Sequence, residues 1–182
     1  MDPEQDVKEI LYTEDEIQEI VEGLAARISE DYRGKDLVVL CVLKGASLFF
    51  SDLIRKIRGV NIEVDFIKVS SYGSSAKSSG TVRIINDTEL DLEGKDVLIV
   101  EDIFDTGLTL KFLIKNLSSR NPKSVEVAVF IRKDLGIECA VEPKYLGTVC
   151  PNAFVVGYGL DYDQHYRQLP YVAVLDEKVY SS

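Results

Sequence analysis

The chain is poor in cysteine, in positive charge and in long apolar runs, and each shortage narrows what it can be. Its three cysteines, Cys41, Cys139 and Cys150, cannot close a complete disulfide set. Cys41 lies in an apolar run, so a buried free thiol in a reducing cytosol is expected. No apolar stretch approaches the ~20 residues that cross a bilayer, and the acidic N-terminus has no signal-peptide pattern. A cytoplasmic protein with no membrane partner is therefore expected. Against 31 Asp and Glu there are only 21 Lys and Arg, a formal net charge of −10. That balance argues against nucleic acid as a partner, since such binders present a basic face. It also means that an anionic substrate must be met by a few local groups or by a metal. The one histidine, His165, sits in a polar run and is assigned no role. Hydrophobic residues make up 46% of the 182, enough for one domain with a sizeable core.

The most informative stretch starts at Val97-Leu98-Ile99-Val100, a short apolar run of the kind a buried parallel strand needs. Two adjacent acids follow, Glu101 and Asp102, then Asp105 and the turn Thr106-Gly107-Leu108-Thr109. Leu110, Phe112, Leu113, Ile114 and Leu117 next supply the apolar side of a helix. Strand, acidic loop and helix in that order place residues 101–109 at the carboxyl end of a sheet, where ligands bind in open α/β folds. The turn suits a phosphate. Thr106, Gly107 and Thr109 offer hydroxyls and backbone N–H groups at the positive end of a helix. Carboxylates repel phosphate, so Glu101 and Asp102 make sense if they meet sugar hydroxyls or Mg²⁺.

Elsewhere the same alternation recurs. Thr13 and Glu16 have the spacing of a capping box, and Ile17, Ile20, Val21, Leu24 and Ile28 mark a helix with one buried face. Residues 37–43 read as a second buried strand, broken by Lys44-Gly45-Ala46 ahead of a helix containing Leu48, Phe49, Leu53 and Ile54. Ile62, Val64 and Phe66 alternate with acids in a half-buried strand. Residues 70–80 carry almost no apolar side chain, and residues 82–85 read as the returning strand. Val125, Val127 and Val129 alternate in a further strand that ends at Arg132-Lys133-Asp134. Gly157 and Gly159 open a G-x-G, but Tyr162 stands where a third glycine is needed, and no helical pattern follows. A dinucleotide fingerprint is thereby excluded. Residues 171–175 read as a closing strand. The whole is α/β.

The segment from Val97 to Thr109 resembles the phosphoribosyl diphosphate motif of type I phosphoribosyltransferases. Three further stretches resemble the hypoxanthine–guanine branch of that family: Val42-Leu43-Lys44-Gly45, Ser71-Tyr72, and the run from Lys133 through Phe154-Val155 and Asp161 to Arg167. The fold implied is a mostly parallel central sheet flanked by helices, with a small hood from the two chain ends. That divides one domain of residues 1–182 into a core of about 14–150, a hood of about 1–13 plus 151–182, and a lid of about 70–82. The reaction implied is purine salvage, joining N9 of hypoxanthine or guanine to the sugar of 5-phosphoribosyl 1-diphosphate with release of diphosphate.

Site roles follow from the same resemblance. Thr106, Gly107, Leu108 and Thr109 hold the 5′-phosphate, and Glu101 and Asp102 the ribose hydroxyls. Asp105 is the general base. Lys44, Gly45, Ser71, Tyr72 and Arg167 meet the diphosphate, the Lys-Gly step often through a non-proline cis peptide. Lys133, Phe154, Val155 and Asp161 form the purine end. Mg²⁺ is the implied cofactor, with Glu101, Asp102 and Asp161 as its carboxylates. A homodimer or homotetramer is the expected assembly. Phe104 is bulkier than the aliphatic residue usual before the third acid, so it either reshapes the base pocket or packs.

Overall fold

The computed structural model describes residues 3–71, 82–137 and 139–181. The elements are β1 (Val7–Tyr12), α1 (Glu14–Asp31), β2 (Asp36–Leu43), α2 (Ser47–Lys56), β3 (Asn61–Ser71), β4 (Val82–Asn86), β5 (Asp96–Phe104), α3 (Leu108–Ser118), β6 (Ser124–Lys133), β7 (Tyr145–Cys150), β8 (Val155–Val156) and β9 (Val172–Leu175). Six strands form one sheet in the order β4-β3-β2-β5-β6-β7. It is parallel throughout except for β4, which returns antiparallel beside β3. Strands β1, β9 and β8 form a second, antiparallel sheet from the two chain ends.

The central strands are apolar on both faces because both faces are covered. Along β2, Val39 and Cys41 join the cluster beneath α1 and α2, while Val38, Leu40 and Val42 join the cluster under α3. Strand β5 divides the same way, Leu98 and Val100 to one side and Val97 and Ile99 to the other. Helix α1 begins at the expected capping box. Thr13 Oγ1 accepts from Glu16 N–H at 3.4 Å and Glu16 Oε2 accepts from Thr13 N–H at 2.8 Å. The terminal sheet closes over the carboxyl ends of the main strands and shares their core, since Val155, Tyr158, Leu160 and Val172 belong to the α1/α2 cluster. Tyr158 meets Phe130 edge-on at 5.1 Å and donates its hydroxyl to Asp52 at 2.8 Å.

Three expectations are corrected. Glu101 and Asp102 are not in a loop. Strand β5 continues through them to Phe104 because β6 runs alongside, pairing Glu101 with Val129 and Ile103 with Ile131. The loop proper is only residues 105–107. Second, the alternating apolar face of β3 is not fully buried: Val64 is 45% and Phe66 40% exposed. Phe66 reaches only the edge of α2, where its ring lies 5.6 Å from Phe50. Third, the cis peptide is Leu43–Lys44, one bond before the Lys-Gly step. The expected lid falls almost wholly outside the described residues.

One contact seats the hood on the sheet. Gly159 has φ +97°, and a Cβ there would lie 2.1 Å from the Gly45 carbonyl oxygen. Gly159→Ala is expected to lower the urea midpoint, the backbone conformation alone costing about 1–3 kcal/mol. An unchanged midpoint would show that the two loops are not pressed together. At the far end of α1, Tyr145 donates its hydroxyl to Asp31 at 2.6 Å and Lys144 approaches the same oxygen at 3.0 Å. The Tyr145 bond, then the Lys144 ammonium, holds the Asp31 carboxyl below its usual range. A carboxyl depressed by folding stabilises the fold above its unfolded pKa of about 3.9, and that stability is lost as pH falls further. The melting difference between wild type and Asp31→Asn is therefore expected to be steady at neutral pH and to shrink below about pH 4.

Candidate active site

The parallel strands β2, β5 and β6 end on one side of the molecule, and the ends of β5 and β6 deliver residues to a pair of adjoining clefts there. The first, about 220 Å³, is lined by Glu101, Asp102, Asp105, Gly107 and Thr109, with Phe104 at its base. The second, about 170 Å³, is lined by Lys133 from the end of β6, by Phe154, Val155 and Asp161, and by Leu160. Asp102 and Ile103 line both clefts.

The acids are held by their own backbone. Glu101 Oε1 accepts from Asp102 N–H at 3.3 Å, and Asp102 Oδ1 accepts from Ile103 N–H at 2.9 Å. Each residue is only 9% exposed. Burial, and then the charge of Asp102, pushes the Glu101 carboxyl well above the ordinary glutamate range. The same burial and the two acids push the Cys41 thiol up to about 12. Gly45 lies directly against this pair; a Cβ there would sit 1.7 Å from Asp102 Oδ2. Only a residue without a side chain fits between the β2 loop and the acids.

Asp105 is exposed and shapes the turn that follows. Its Oδ1 accepts from Thr106 N–H and, at 3.2 Å, from Thr106 Oγ1. Gly107 then takes φ +76° as the N-cap of α3, with no side chain capping the helix. The first amides of α3 are thus left for a ligand, as an anion site requires. The space beside Gly107 is filled by Phe104, whose ring would be 2.7 Å from a Cβ at that position. Phe104 is 2% exposed and packs in the α3 cluster, so its bulk is core. From the segment after β6, Cys139 Sγ donates to the Asp105 carbonyl at 3.7 Å and Ala140 N–H to the Thr106 carbonyl at 3.3 Å.

In the second cleft, Lys133 Nζ stands 6.0 Å from the Phe154 ring centroid, within cation–π range. Arg132 instead pairs with Glu142 at 3.2 Å, so the lysine and not its neighbour faces the cleft. Asp161 is ion-paired to Arg167 at 2.8 Å, and Arg167 Nη1 also donates to the Gly159 carbonyl at 2.6 Å.

Of the expected residues, Glu101, Asp102, Asp105, Gly107, Thr109, Lys133, Phe154, Val155 and Asp161 line the two clefts. Thr106 and Leu108 belong to the turn but do not line them, and Leu108 is exposed. Lys44 and Arg167 come together through a residue the sequence did not flag. Gln164 Oε1 accepts from Lys44 Nζ at 2.9 Å and from Arg167 Nη2 at 3.4 Å, while Gln164 N–H donates to Asp161 Oδ2 at 2.8 Å. Gln164 has φ +69°, and Tyr158, Asp163 and Tyr166 nearby are also left-handed. Such backbone is uncommon outside glycine and clusters at functional sites. Nothing in the composition of this run announces it. The Ser71 backbone ends β3, paired with Val82; its side chain and Tyr72 lie outside the described residues. Also unflagged were Ile103, Leu160, and the rings of Tyr162 and Tyr180 beside Phe154.

The donor set suits a hard cation. Glu101, Asp102 and Asp161 offer carboxylate oxygens alone, and a cation would relieve the crowding of charge that burdens Glu101. Among the described residues no group of three or more His, Cys, Asp or Glu is arranged to hold a metal unaided. No helix among the described residues is long and apolar enough to cross a membrane.

Comparison with known proteins agrees with this geometry. The phosphoribosyl transferase domain model matches residues 8–163. A hypoxanthine-guanine phosphoribosyltransferase of Mycobacterium tuberculosis is 50% identical over 96% of this chain and 89% of its own length. The enzyme of that name from Dictyostelium discoideum is 46% identical over 95% of this chain and 98% of its own. Among solved structures, a hypoxanthine phosphoribosyltransferase from Staphylococcus aureus superposes with a TM-score of 0.93 at 45% identity, covering 98% of this chain and 97% of that one. With strand order, paired acids, phosphate turn and full-length likeness in agreement, the chain belongs to the phosphoribosyltransferase family, in its hypoxanthine–guanine branch.

Proposed function

We propose that the protein transfers the 5-phosphoribosyl group of 5-phosphoribosyl 1-diphosphate to N9 of hypoxanthine, guanine or both, giving IMP or GMP and diphosphate. The carrying observation is that an acidic cleft at the N-terminus of α3 and a cleft lined by Lys133 and Phe154 meet at Asp102 and Ile103; in this reading the first takes the sugar phosphate and the second the flat base. The sugar carbon and the base nitrogen are then brought together at one wall.

In this reading the α3 amides and the hydroxyls of Thr106 and Thr109 hold the 5′-phosphate. Glu101 and Asp102 hold the ribose hydroxyls. Lys44, Gly45 and Arg167, with Ser71 and Tyr72, meet the diphosphate as charge builds on it. Bound Mg²⁺, reached by Asp161 and, through the ribose hydroxyls, by Glu101 and Asp102, would neutralise the leaving group. Arg167 is paired with Asp161, so engaging diphosphate and freeing Asp161 are one movement. Phe154 offers a stacking face and Val155 its backbone to the exocyclic edge of the base. Lys133 donates to the 6-oxo oxygen. An adenine 6-amino group would place donors against that donor, and a mismatch of this kind is worth several kcal/mol of discrimination. Asp105, on the sugar side of the shared wall, takes the proton at purine N7.

Residues 14–150 carry the catalytic framework in this reading, with 1–13 and 151–182 as hood. The three free thiols fit a cytosolic setting. Association into a homodimer or homotetramer is supported by the uncovered Val64 and Phe66 on β3. Spectrophotometric turnover with hypoxanthine, guanine, xanthine, adenine and uracil tests the assignment; activity with uracil or adenine and none with the 6-oxopurines would overturn it.

Asp105→Asn is expected to lower turnover by roughly 10²–10⁴-fold, the usual worth of an acid–base group, with phosphoribosyl diphosphate binding kept. Near-wild-type turnover would remove the base assignment. Lys133→Ala is expected to weaken purine binding more than diphosphate binding in calorimetry, and equal losses would move the purine contact elsewhere.

A further inference from the structure

We propose that Tyr180 is a positioning residue for the ring on which the purine stacks, acting through Phe154 with Tyr162 as its companion. This rests on the purine reading given above.

Phe154 is 36% exposed. Its carbonyl accepts from Leu175 N–H at 2.8 Å, which fixes its backbone to the end of β9. That bond leaves the side chain to be fixed by something else. Two rings do this. Tyr162 meets Phe154 edge-on, centroids 5.4 Å apart and planes at 87°. Tyr180 lies along it at 5.3 Å with planes only 31° apart. The first is an edge-to-face pair and the second a tilted one, both at centroid distances where aromatic rings attract. Phe154 lines the base cleft, whereas neither tyrosine does. The tyrosines therefore back the ring from outside the cleft.

Tyr180 is delivered by a tail that folds back and is tied at several points. A short 3-10 turn spans Glu177–Val179, capped by the Asp176 side chain, which accepts from Lys178 N–H at 3.0 Å. Asp176 N–H donates to the Asp6 carbonyl at 2.8 Å, and Lys178 Nζ to the Gln5 carbonyl at 3.1 Å. Tyr180 N–H closes the turn on the Glu177 carbonyl at 3.2 Å. Val179 packs with Val156, Leu169 and Leu175 in the hood's own cluster. The segment before β1 thus anchors the tail that supports the stacking ring. A ring ordered in advance spares the base the entropy of ordering it on arrival.

The test uses full-length Tyr180→Ala and Tyr180→Phe. Calorimetry reads the affinity for IMP and, separately, for inorganic diphosphate with Mg²⁺; steady-state assays read KM for purine and for phosphoribosyl diphosphate. Tyr180→Ala is expected to weaken IMP binding and raise the purine KM by roughly three- to tenfold, the worth of one aromatic pair. Diphosphate affinity and the phosphoribosyl diphosphate KM stay within about twofold, and Tyr180→Phe restores every value because the ring is what matters. Should Tyr180→Ala not fold, Tyr180→Leu, which fills the space without a ring, is read the same way. Wild-type IMP affinity in the variant that lacks the ring, or equal weakening of both ligands, overturns the inference. A wild-type protein that binds neither IMP nor diphosphate overturns the transferase reading, and this inference with it.

Discussion

The site depends on two neighbouring carboxylates kept away from water at the end of the central strand. Glu101 and Asp102 are 9% exposed, and burial already favours the proton on Glu101. Two such charges side by side oppose folding unless something offsets them. Their own backbone N–H groups do part of this. The remainder is a standing demand for a cation and for hydroxyl donors. The neighbouring glycine follows from the same constraint: because Asp102 must stand where it does, Gly45 can carry no side chain.

Around that pair the site is composite. The acidic cleft is built by the main sheet and α3. The second cleft lies where the terminal segment rests on the sheet, with Lys133 from the sheet and Phe154 and Asp161 from the terminal segment. The join is polar: Gln164 holds Lys44, Arg167 and Asp161 in one hydrogen-bonded group. The two cations and the acid at this join are thus already partnered with one another.

What the sequence disclosed and what it hid divide along physical lines. The buried strands and α1 were legible because apolar runs and a capping box are local signals. The clefts were legible because Glu101, Asp102 and Gly107 bring the chemistry together within one strand–turn–helix, and resemblance carried the more distant Lys133 and Phe154. The strand continuing through the acids was not legible, since carboxylates read locally as loop and only the pairing with β6 keeps them extended. The exposure of Val64 and Phe66 was missed for the converse reason: alternation shows which residues share a face, not whether a helix reaches far enough to cover it. Gln164 and Tyr180 depend on left-handed backbone and on a tail returning across the fold, and neither leaves a periodic trace.

The sulfur behind the acids has a practical consequence. Cys41 is held to its proton up to about pH 12 by burial and by Glu101 and Asp102, and Cys150 is likewise buried with its thiol pushed up by burial. Alkylating and oxidising reagents act on the thiolate, so in the folded protein both sulfurs are silent. Cys139, half-buried and bonded to the Asp105 carbonyl, is the one place where a thiol label would take. The chain thus carries a single natural attachment point for a reporter, on the segment after β6 that hydrogen-bonds the turn at Asp105 and Thr106.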